Sequence, residues 1–251
     1  METIKADVVV LGSGGAGMAA AITAAEGGAK VVVLEKRPFP GGASNTPVGF
    51  GWVKYDQAFQ DKAFKVHMDM TRWTGNADLV WAWVHTSGEL PEWMSGMGVK
   101  CLSPRAPITL EEMGRPAVTG GFPPGYHISN FSALPGTGQG HGGAQMIRAM
   151  VTREKELGID IRMATPAMKI LKVAGRITGV HAEDKSGKPI RIEAKAVVIA
   201  TAGFNDDAEM IKRHSVFGFT LDLLLFFAAY SEKSHFLRFT FIKFYLQGFF
   251  R

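Results

Sequence analysis

The pattern that most constrains this chain is a strand, a glycine-rich turn and a helix, followed by a second strand that ends in an acid. The first strand is predicted over Ala6–Leu11, and the turn Gly12-Ser13-Gly14-Gly15-Ala16-Gly17 has the spacing G-x-G-x-x-G. Helix-forming residues follow at 18–25, and the second strand, at 30–34, leads directly into Glu35. Glycine-rich turns alone are common, but the strand, helix and acid around this one predict a βαβ unit.

Each glycine of this turn has a physical role. Gly12 permits a tight turn, Gly14 lets a phosphate approach the backbone, and Gly17 lets the helix pack closely on the sheet. Free N–H groups at the helix start attract phosphate, with the positive end of the helix dipole behind them. Glu35 follows Gly17 by 18 residues, where its carboxylate can accept hydrogen bonds from a ribose diol. The unit therefore predicts a dinucleotide site, and the alternative is a tight turn without a ligand.

Composition and charge narrow the class of protein. The chain has 251 residues, 46% of them hydrophobic, which is enough for one large domain or two small ones. The net charge is +5, and the basic residues are scattered without a dense block, so nucleic-acid binding is not predicted. Cys101 is the only cysteine, which fits a reducing compartment. The strand pattern begins by about Ile4 and leaves no room for a signal peptide, so the expected location is the cytoplasm.

A loop and a helical region follow the βαβ unit. Residues 38–51 hold too much glycine and proline for a regular element, so they are predicted to form a loop that lines a ligand crevice. Helices are predicted over residues 56–74, 77–87 and 90–97. Asn76 is a suitable N-cap for the second helix, and residues 99–143 show no regular period. The aromatic and methionine side chains either line a ligand pocket or pack between helices, and packing is the favoured interpretation.

The second half of the chain returns to alternating helix and strand patterns. Residues 144–157 carry their apolar side chains on one helical face, and a short strand is predicted over 159–163. Three β-like runs within 167–194 predict an antiparallel meander. The fully apolar run 196–200 is typical of a strand in a buried parallel sheet. The predicted fold class is α/β, with a Rossmann-like, mainly parallel sheet, an antiparallel meander and a helical insert.

The last segment, residues 215–251, changes character abruptly. Ten of its 37 residues are phenylalanine, although the whole chain has 17. The apolar run Phe217–Tyr230 is shorter than the roughly 20 residues that a membrane-spanning helix needs. The segment is predicted to be an aberrant end, for example a frameshifted one. The alternative is a segment that binds the membrane surface.

Several motifs in order resemble the FAD-binding domain of the fumarate reductase/succinate dehydrogenase flavoprotein superfamily. The most similar branches are the soluble flavocytochrome-type fumarate reductases and the ketosteroid dehydrogenases. The motifs are GSGGAG at 12–17, LEK at 34–36, PGGAS at 40–44, the helix and strand of 143–165, GRITGV at 175–180 and VVIATAGF at 197–204. This resemblance implies FAD as cofactor and hydride transfer between the flavin and an activated C–C bond.

The resemblance also implies which residues contact FAD. The residues near the pyrophosphate are Gly12, Ser13, Gly14, Gly15, Ala16 and Gly17, and those near the flavin are Gly41, Gly42, Ala43, Ser44 and Gly49. The adenosine ribose is bound by Glu35, with Lys36 beside it, and the adenine is contacted by Ala167. The adenosine end is covered by Thr201, Ala202 and Gly203. Membrane-bound members bind FAD covalently through a histidine at the position of Ala43, so the implied attachment here is noncovalent. The family usually has glycine at Ala202, and the added methyl group crowds that approach.

The implied domain organisation is incomplete. Residues 1–51 and 141–214 would form the FAD-binding domain, 52–140 a helical and loop insert, and 215–251 the aberrant tail. The family completes its site with a capping domain and a returning C-terminal segment, and the match ends near residue 214, so a truncated oxidoreductase is expected. The alternative is an FAD-binding module that has no catalysis alone or needs a partner to supply the cap.

Few other residues are candidates for chemistry. His141 is the best candidate for a substrate contact, and the alternative is a polar surface residue. The seven histidines lack metal-ligand spacing, so no metal site is predicted, and no catalytic residue is assigned. Lys36 and Arg37 could hold a 2′-phosphate, as in NADP sites, but Glu35 opposes this. The expected substrate is a small molecule, bound if a cap is supplied.

Overall fold

The structure, a computed structural model, describes residues 2–47, 49–100, 126–131, 142–204 and 207–214. Its strands are β1 (Glu2–Lys5), β2 (Val8–Leu11), β3 (Val31–Leu34), β4 (Gly49–Val53), β5 (Tyr126–Asn130), β6 (Asp160–Arg162), β7 (Ala167–Val173), β8 (Arg176–Glu183), β9 (Pro189–Glu193) and β10 (Ala196–Ile199). Its α-helices are α1 (Gly15–Glu26), α2 (Gln57–Met70), α3 (Ala77–Thr86), α4 (Leu90–Gly96), α5 (Gly142–Glu156) and α6 (Ala208–His214). Short 3₁₀ turns lie at Gly42–Asn45 and Ser87–Glu89.

A four-stranded parallel sheet in the order β10-β2-β3-β6 positions the glycine-rich turn. Strands β2 and β3 are runs of Val and Leu because both faces of the sheet are covered. One face packs on α1, where Val10, Val33 and Ala21 are buried together. The predicted βαβ unit is therefore confirmed, with α1 crossing from β2 to β3.

The second sheet covers the other face of the parallel sheet. Its order is β1-β9-β8-β7, and only the β1–β9 pair is parallel. A buried core that includes Val9, Leu34, Val180 and Ile192 lies between the two sheets. The predicted antiparallel meander is confirmed as β7, β8 and β9, and with it the α/β fold class.

The first strand of the βαβ unit is β2, which covers Val8–Leu11 and is shorter than the predicted 6–11. A separate strand, β1, precedes it and lies in the other sheet. Asp7 lies between the two strands, and its carboxylate accepts a hydrogen bond of 2.8 Å from the Lys30 N–H. Its carbonyl accepts from the N–H groups of Lys195 and Ala196, each at 3.1 Å. A polar residue inside an apolar run therefore marks the change from one sheet to the other.

Two further predictions of irregular structure are corrected. The predicted loop 38–51 contains the 3₁₀ turn and most of β4, and the irregular stretch 99–143 contains β5. Strands β4 and β5 pair with each other. Pairing with a distant segment stabilises a glycine-rich strand that local preference disfavours. The predicted parallel strand within 196–200 is present as β10, but it lies at the edge of its sheet, where Ile199 is 66% exposed.

The helices of the predicted insert pack through aromatic side chains. Asp56 caps α2 by accepting from the Ala58 and Phe59 N–H groups, and Asn76 caps α3 as predicted. The Phe64 and Trp81 rings stack with centroids 4.1 Å apart. The core of this region contains Val53, Ala63 and Val84, with Phe59, Phe64, Val80, Trp81 and Trp83 packed against it. These aromatic side chains therefore serve helix packing.

The chain divides into two compact units. Of the described residues, one unit comprises 2–47, 49–50, 91–100, 129–131 and 142–202, and the other comprises 51–90, 126–128, 203–204 and 207–214. The first unit contains both four-stranded sheets with α1 and α5, and the second contains α2, α3 and α6. Within the described part of the chain, no helix is long and apolar enough to cross a membrane.

Candidate functional site

The glycine-rich turn lies at the carboxyl ends of β2 and β3. A second glycine-rich loop folds against it, with the Gly41 N–H donating to the Ser13 carbonyl at 2.6 Å. Gly14 and Gly41 form an isolated parallel bridge between the two loops. Ligands of open α/β sheets bind at this edge, outside the carboxyl ends of the strands.

Two glycines of the turn are required by the fold itself. Gly12 has φ +100°, and a Cβ there would lie 2.5 Å from the Ala200 carbonyl oxygen. A Cβ on Gly17 would overlap the Gly12 carbonyl oxygen. Because the obstacles are backbone atoms, no rotamer change relieves them. These two positions need glycine with or without a ligand.

Gly14 has no such requirement. Its backbone is extended, with φ −85° and ψ 178°, which any residue can adopt. A Cβ there would meet its nearest atoms, the Gly41 carbonyl oxygen and Ser44 Oγ, only at 3.9 Å. Packing within the chain therefore does not explain glycine here. A methyl group here would make ordinary van der Waals contacts, and a glycine without one lets a pyrophosphate group approach the start of α1.

Ser44 links the two glycine-rich loops. The Gly15 N–H, one of the free donors at the start of α1, donates to Ser44 Oγ at 3.1 Å. The Asn45 side-chain amide holds the second loop in place, donating to the Pro40 carbonyl at 2.9 Å. Sequence reasoning did not identify Asn45, although an amide side chain next to glycines is a typical turn signal. The predicted residues Gly41, Gly42 and Ser44 therefore lie beside the turn in a defined conformation.

Glu35 is buried and connects β3 to the turn. Its side chain is 8% exposed. One carboxylate oxygen accepts from the Ser13 N–H at 2.9 Å, and the other accepts from the Arg37 N–H at 2.8 Å. A carboxylate has about four acceptor positions, so two remain for ribose hydroxyl groups. Lys36, beside it, is exposed.

The segment that follows β6 lies alongside the end of β3. The Thr165 N–H donates to the Glu35 carbonyl at 2.8 Å, and the Ala164 N–H donates to the Arg37 carbonyl at 2.9 Å. Ala167, the predicted adenine contact, is the exposed first residue of β7. These bonds bring the predicted adenine and ribose residues to one edge of the first unit.

The residues after β10 approach the turn from its other side. The Ala200 N–H donates to the Leu11 carbonyl at 2.9 Å, which places Thr201 directly after the β2–β10 pair. Ala202 has φ +61°, a left-handed conformation that favours glycine. Alanine therefore occupies a glycine-type backbone position here.

The remaining predicted site residues are more dispersed. Ala16 and Ala43 are exposed, and Gly49 is the half-buried first residue of β4. Gly203 is exposed and begins a stretch of the second unit. His141 and Cys101 lie outside the described residues. Within the described ranges, no group of His, Cys, Asp and Glu side chains could hold a metal ion.

Sequence comparisons identify a protein family and known proteins that are similar to this chain. Residues 7–225 match the family model of an FAD binding domain, a match that extends into the predicted tail. The fumarate reductase (cytochrome) of Shewanella frigidimarina is 29% identical in an alignment that covers 82% of this chain and 35% of that protein.

Two solved structures share the fold. The open conformation of a flavocytochrome c3 fumarate reductase superposes with a TM-score of 0.66 at 24% identity, covering 84% of this chain and 36% of that one. The 3-ketosteroid-Δ4-(5α)-dehydrogenase of Rhodococcus jostii RHA1 gives a TM-score of 0.65 at 22% identity, covering 84% and 49%. The chain spans only 21% to 40% of the length of the curated relatives that it matches over most of its own length.

Proposed function

Because this chain belongs to the FAD binding domain family, as its motifs predicted, we propose that it holds FAD noncovalently as part of an oxidoreductase. When bound, the flavin supplies hydride transfer to or from an activated C–C bond. The observation that supports this most is Gly14 at the start of α1, because an added Cβ would make only ordinary contacts at 3.9 Å and packing within the chain does not require glycine there. The chain's own contribution is to bind and orient the cofactor.

The proposed contacts follow from the geometry of the two loops. The backbone of residues 12–17 holds the pyrophosphate, and Ser44 keeps the second loop against the first through the Gly15 N–H. Glu35 binds the ribose through the acceptor positions that Ser13 and Arg37 leave available, with Lys36 beside it. Further contacts are proposed at Gly41, Gly42, Ala43, Ser44 and Gly49 on the flavin side, and at Ala167, Thr201, Ala202 and Gly203 on the adenosine side.

The noncovalent attachment rests on Ala43. Its methyl group has no nucleophilic atom, so it cannot form the bond that a histidine forms at this position in membrane-bound relatives. The test is the visible flavin absorbance of the purified protein, followed by precipitation in acid. We expect absorbance before precipitation and all of the flavin in the supernatant afterwards. Flavin that stays in the pellet would contradict noncovalent binding, and protein without flavin, even after incubation with FAD, would contradict the cofactor proposal.

A second candidate is a binding module that needs a partner for catalysis. It is supported by the site itself, because the residues that surround the glycine-rich turn would bind and orient a cofactor and none of them is assigned a catalytic role. Turnover of fumarate or a ketosteroid with a dye as electron donor or acceptor separates the two candidates. Activity of the flavin-loaded chain alone supports the oxidoreductase. Flavin binding without turnover supports the module, which would receive the substrate-binding cap from another polypeptide.

The proposed partner is a small molecule, and the proposed location is the cytoplasm. The scattered basic residues support the absence of nucleic-acid binding, and the single cysteine supports a reducing compartment. Flotation with liposomes tests membrane contact through residues 215–251. We expect neither the full chain nor a variant that ends at residue 214 to float. Flotation of the full chain alone would support the membrane alternative.

A further inference from the structure

Glu154 is a buried carboxyl group in α5 that has no role in the proposed site. Its side chain is 0% exposed. Among the described residues, neither carboxyl oxygen has a hydrogen-bond partner. Folded proteins rarely leave a buried polar group in this state, and a charged carboxylate is the costliest example. Burial raises the pKa of Glu154 from 4.5 to about 7.

The charged groups on the elements packed against α5 do not neutralise Glu154. On α5 itself, Arg153 donates to Glu26 of α1 at 2.8 Å and to Glu156 at 3.2 Å. Glu26 is the only titratable residue of α1, and the 3₁₀ turn that also contacts α5, Gly42–Asn45, has none. Arg153 is therefore already paired with two other carboxylates, and the other two cations of α5, Arg148 and Lys155, are exposed.

Strand β6, which follows α5, also offers no available cation. Its Arg162 donates to Asp160 at 2.9 Å and to Glu2 of β1 at 3.1 Å. Desolvation is accordingly the only cause of the raised pKa of Glu154. A proton on the carboxyl group is the remaining way to avoid a buried, unpaired charge.

The buried face of α5 that carries Glu154 also contacts the second glycine-rich loop. Gly143, Met150 and Glu154 are all buried at helical spacing on α5. The Gly143 N–H donates to the Pro47 carbonyl at 2.8 Å, and the Gly143 backbone lies so close to the Ser44 carbonyl that a Cβ would overlap it. The position of α5 therefore determines how the second glycine-rich loop lies against the first.

We propose that Glu154 carries a proton in the folded protein, and that loss of this proton weakens the binding of FAD by the glycine-rich loops. Loss of the proton places a charge in the packed face of α5. This charge loosens the packing of the helix and of the second glycine-rich loop, which Gly143 contacts. The coupling to FAD rests on the proposed function, whereas the effect on stability does not. Stability is full below about pH 4.5, decreases as the pH rises from there through about 7, and levels off above that value. FAD affinity decreases as the folded protein loses the proton, as the pH rises through about 7.

The test compares wild type, Glu154→Gln and Glu156→Gln between about pH 6 and about pH 8.5. Glutamine keeps the shape of Glu154 and does not titrate, and Glu156 is an exposed carboxylate on the same helix that serves as the matched control. Urea unfolding without FAD measures stability, and quenching of flavin fluorescence measures FAD affinity. We expect wild type and Glu156→Gln to lose stability and about tenfold in FAD affinity over this range, and Glu154→Gln to change less than about twofold.

The outcomes separate the two proposals. A decrease with pH in Glu154→Gln equal to that of wild type would overturn the role of Glu154. A stability effect confined to proteins with Glu154, together with no FAD binding at any pH, would overturn the proposed function and the coupling, but not the buried proton. If Glu154→Gln does not fold, Glu154→Met supplies the same comparison, because an apolar side chain of similar length suits the packed face.

Discussion

The carboxylate of Glu35 accepts a hydrogen bond from the backbone N–H of Ser13 at 2.9 Å, in the interior of the first unit. This bond ties the end of β3 to the glycine-rich turn after β2. A second bond, from the Arg37 N–H at 2.8 Å, holds the other carboxylate oxygen. The predicted ribose ligand is therefore also a structural residue, and its orientation is determined before any ligand binds.

Replacement of Glu35 by alanine should affect both stability and binding. The change leaves the buried Ser13 N–H without its acceptor, which costs about 2 kcal/mol of unfolding free energy. FAD affinity should decrease as well, because the ribose loses its carboxylate. Urea unfolding and flavin titration measure the two effects. Glu92→Ala, on the exposed surface of α4, should change stability by less than about 0.5 kcal/mol, and equal effects of the two variants would contradict this role.

Gly14→Ala should weaken FAD binding without disturbing the fold. The methyl group has room within the chain, with its nearest neighbours at 3.9 Å, so the unfolding free energy should change by less than about 1 kcal/mol. It occupies the space proposed for the pyrophosphate, and FAD affinity should fall at least about tenfold. Gly96→Ala, outside the proposed site, is the matched control, because its Cβ would meet nothing within 4 Å. Unchanged FAD affinity in Gly14→Ala would contradict the proposed position of the pyrophosphate.

Gly17→Ala, in contrast to Gly14→Ala, should destabilise the fold. Its methyl group would overlap the Gly12 carbonyl oxygen, so α1 cannot pack on the sheet as it does now. We expect a loss of about 3 kcal/mol or more, or failure to fold. Circular dichroism during urea unfolding measures this loss. A Gly17→Ala protein as stable as Gly14→Ala would show that the close approach of α1 to the turn is not essential.

His67 should make the second unit sensitive to acid. Burial lowers the pKa of His67 below its ordinary value of 6.5, with its Nδ1 2.9 Å from the Ala63 carbonyl oxygen. The folded state therefore prefers the neutral ring, and stability is lost as the pH falls below about 6.5. Thermal unfolding of His67→Gln should show a smaller loss between about pH 6.5 and about pH 5 than wild type. His85→Gln, at an exposed position on α3, should follow wild type, and a loss in His67→Gln as large as in wild type would contradict this assignment.

Local patterns were sufficient to predict several elements. Asp7 to Glu35 was read correctly as a strand, turn, helix and strand because each part depends on neighbours along the chain. The N-cap at Asn76 depends only on a hydrogen bond to Leu79, three residues away. The turns between β7, β8 and β9 depend on glycine and proline at short range. The glycine-rich turn and the acid of this first unit were among the motifs that carried the resemblance to the FAD binding domain family.

Distant contacts decided the features that sequence reasoning missed. The strand β4 exists because Gly49–Val53 pairs with Tyr126–Asn130, which no local pattern shows. At the break between β1 and β2, Asp7 accepts hydrogen bonds from the N–H groups of the distant residues Lys30 and Lys195. Glu154 lies near the end of α5, and only the packing of that helix shows that it is buried.

The sequence by itself determined the class of fold, the family and the position of the glycine-rich turn at the end of β2, because spacing along the chain encodes them. The tertiary structure decided which glycine serves which purpose. Gly12 and Gly17 are required by backbone atoms of the chain itself, whereas Gly14 is not. This difference depends on distances between atoms of different segments, and only the folded arrangement of those segments determines such distances.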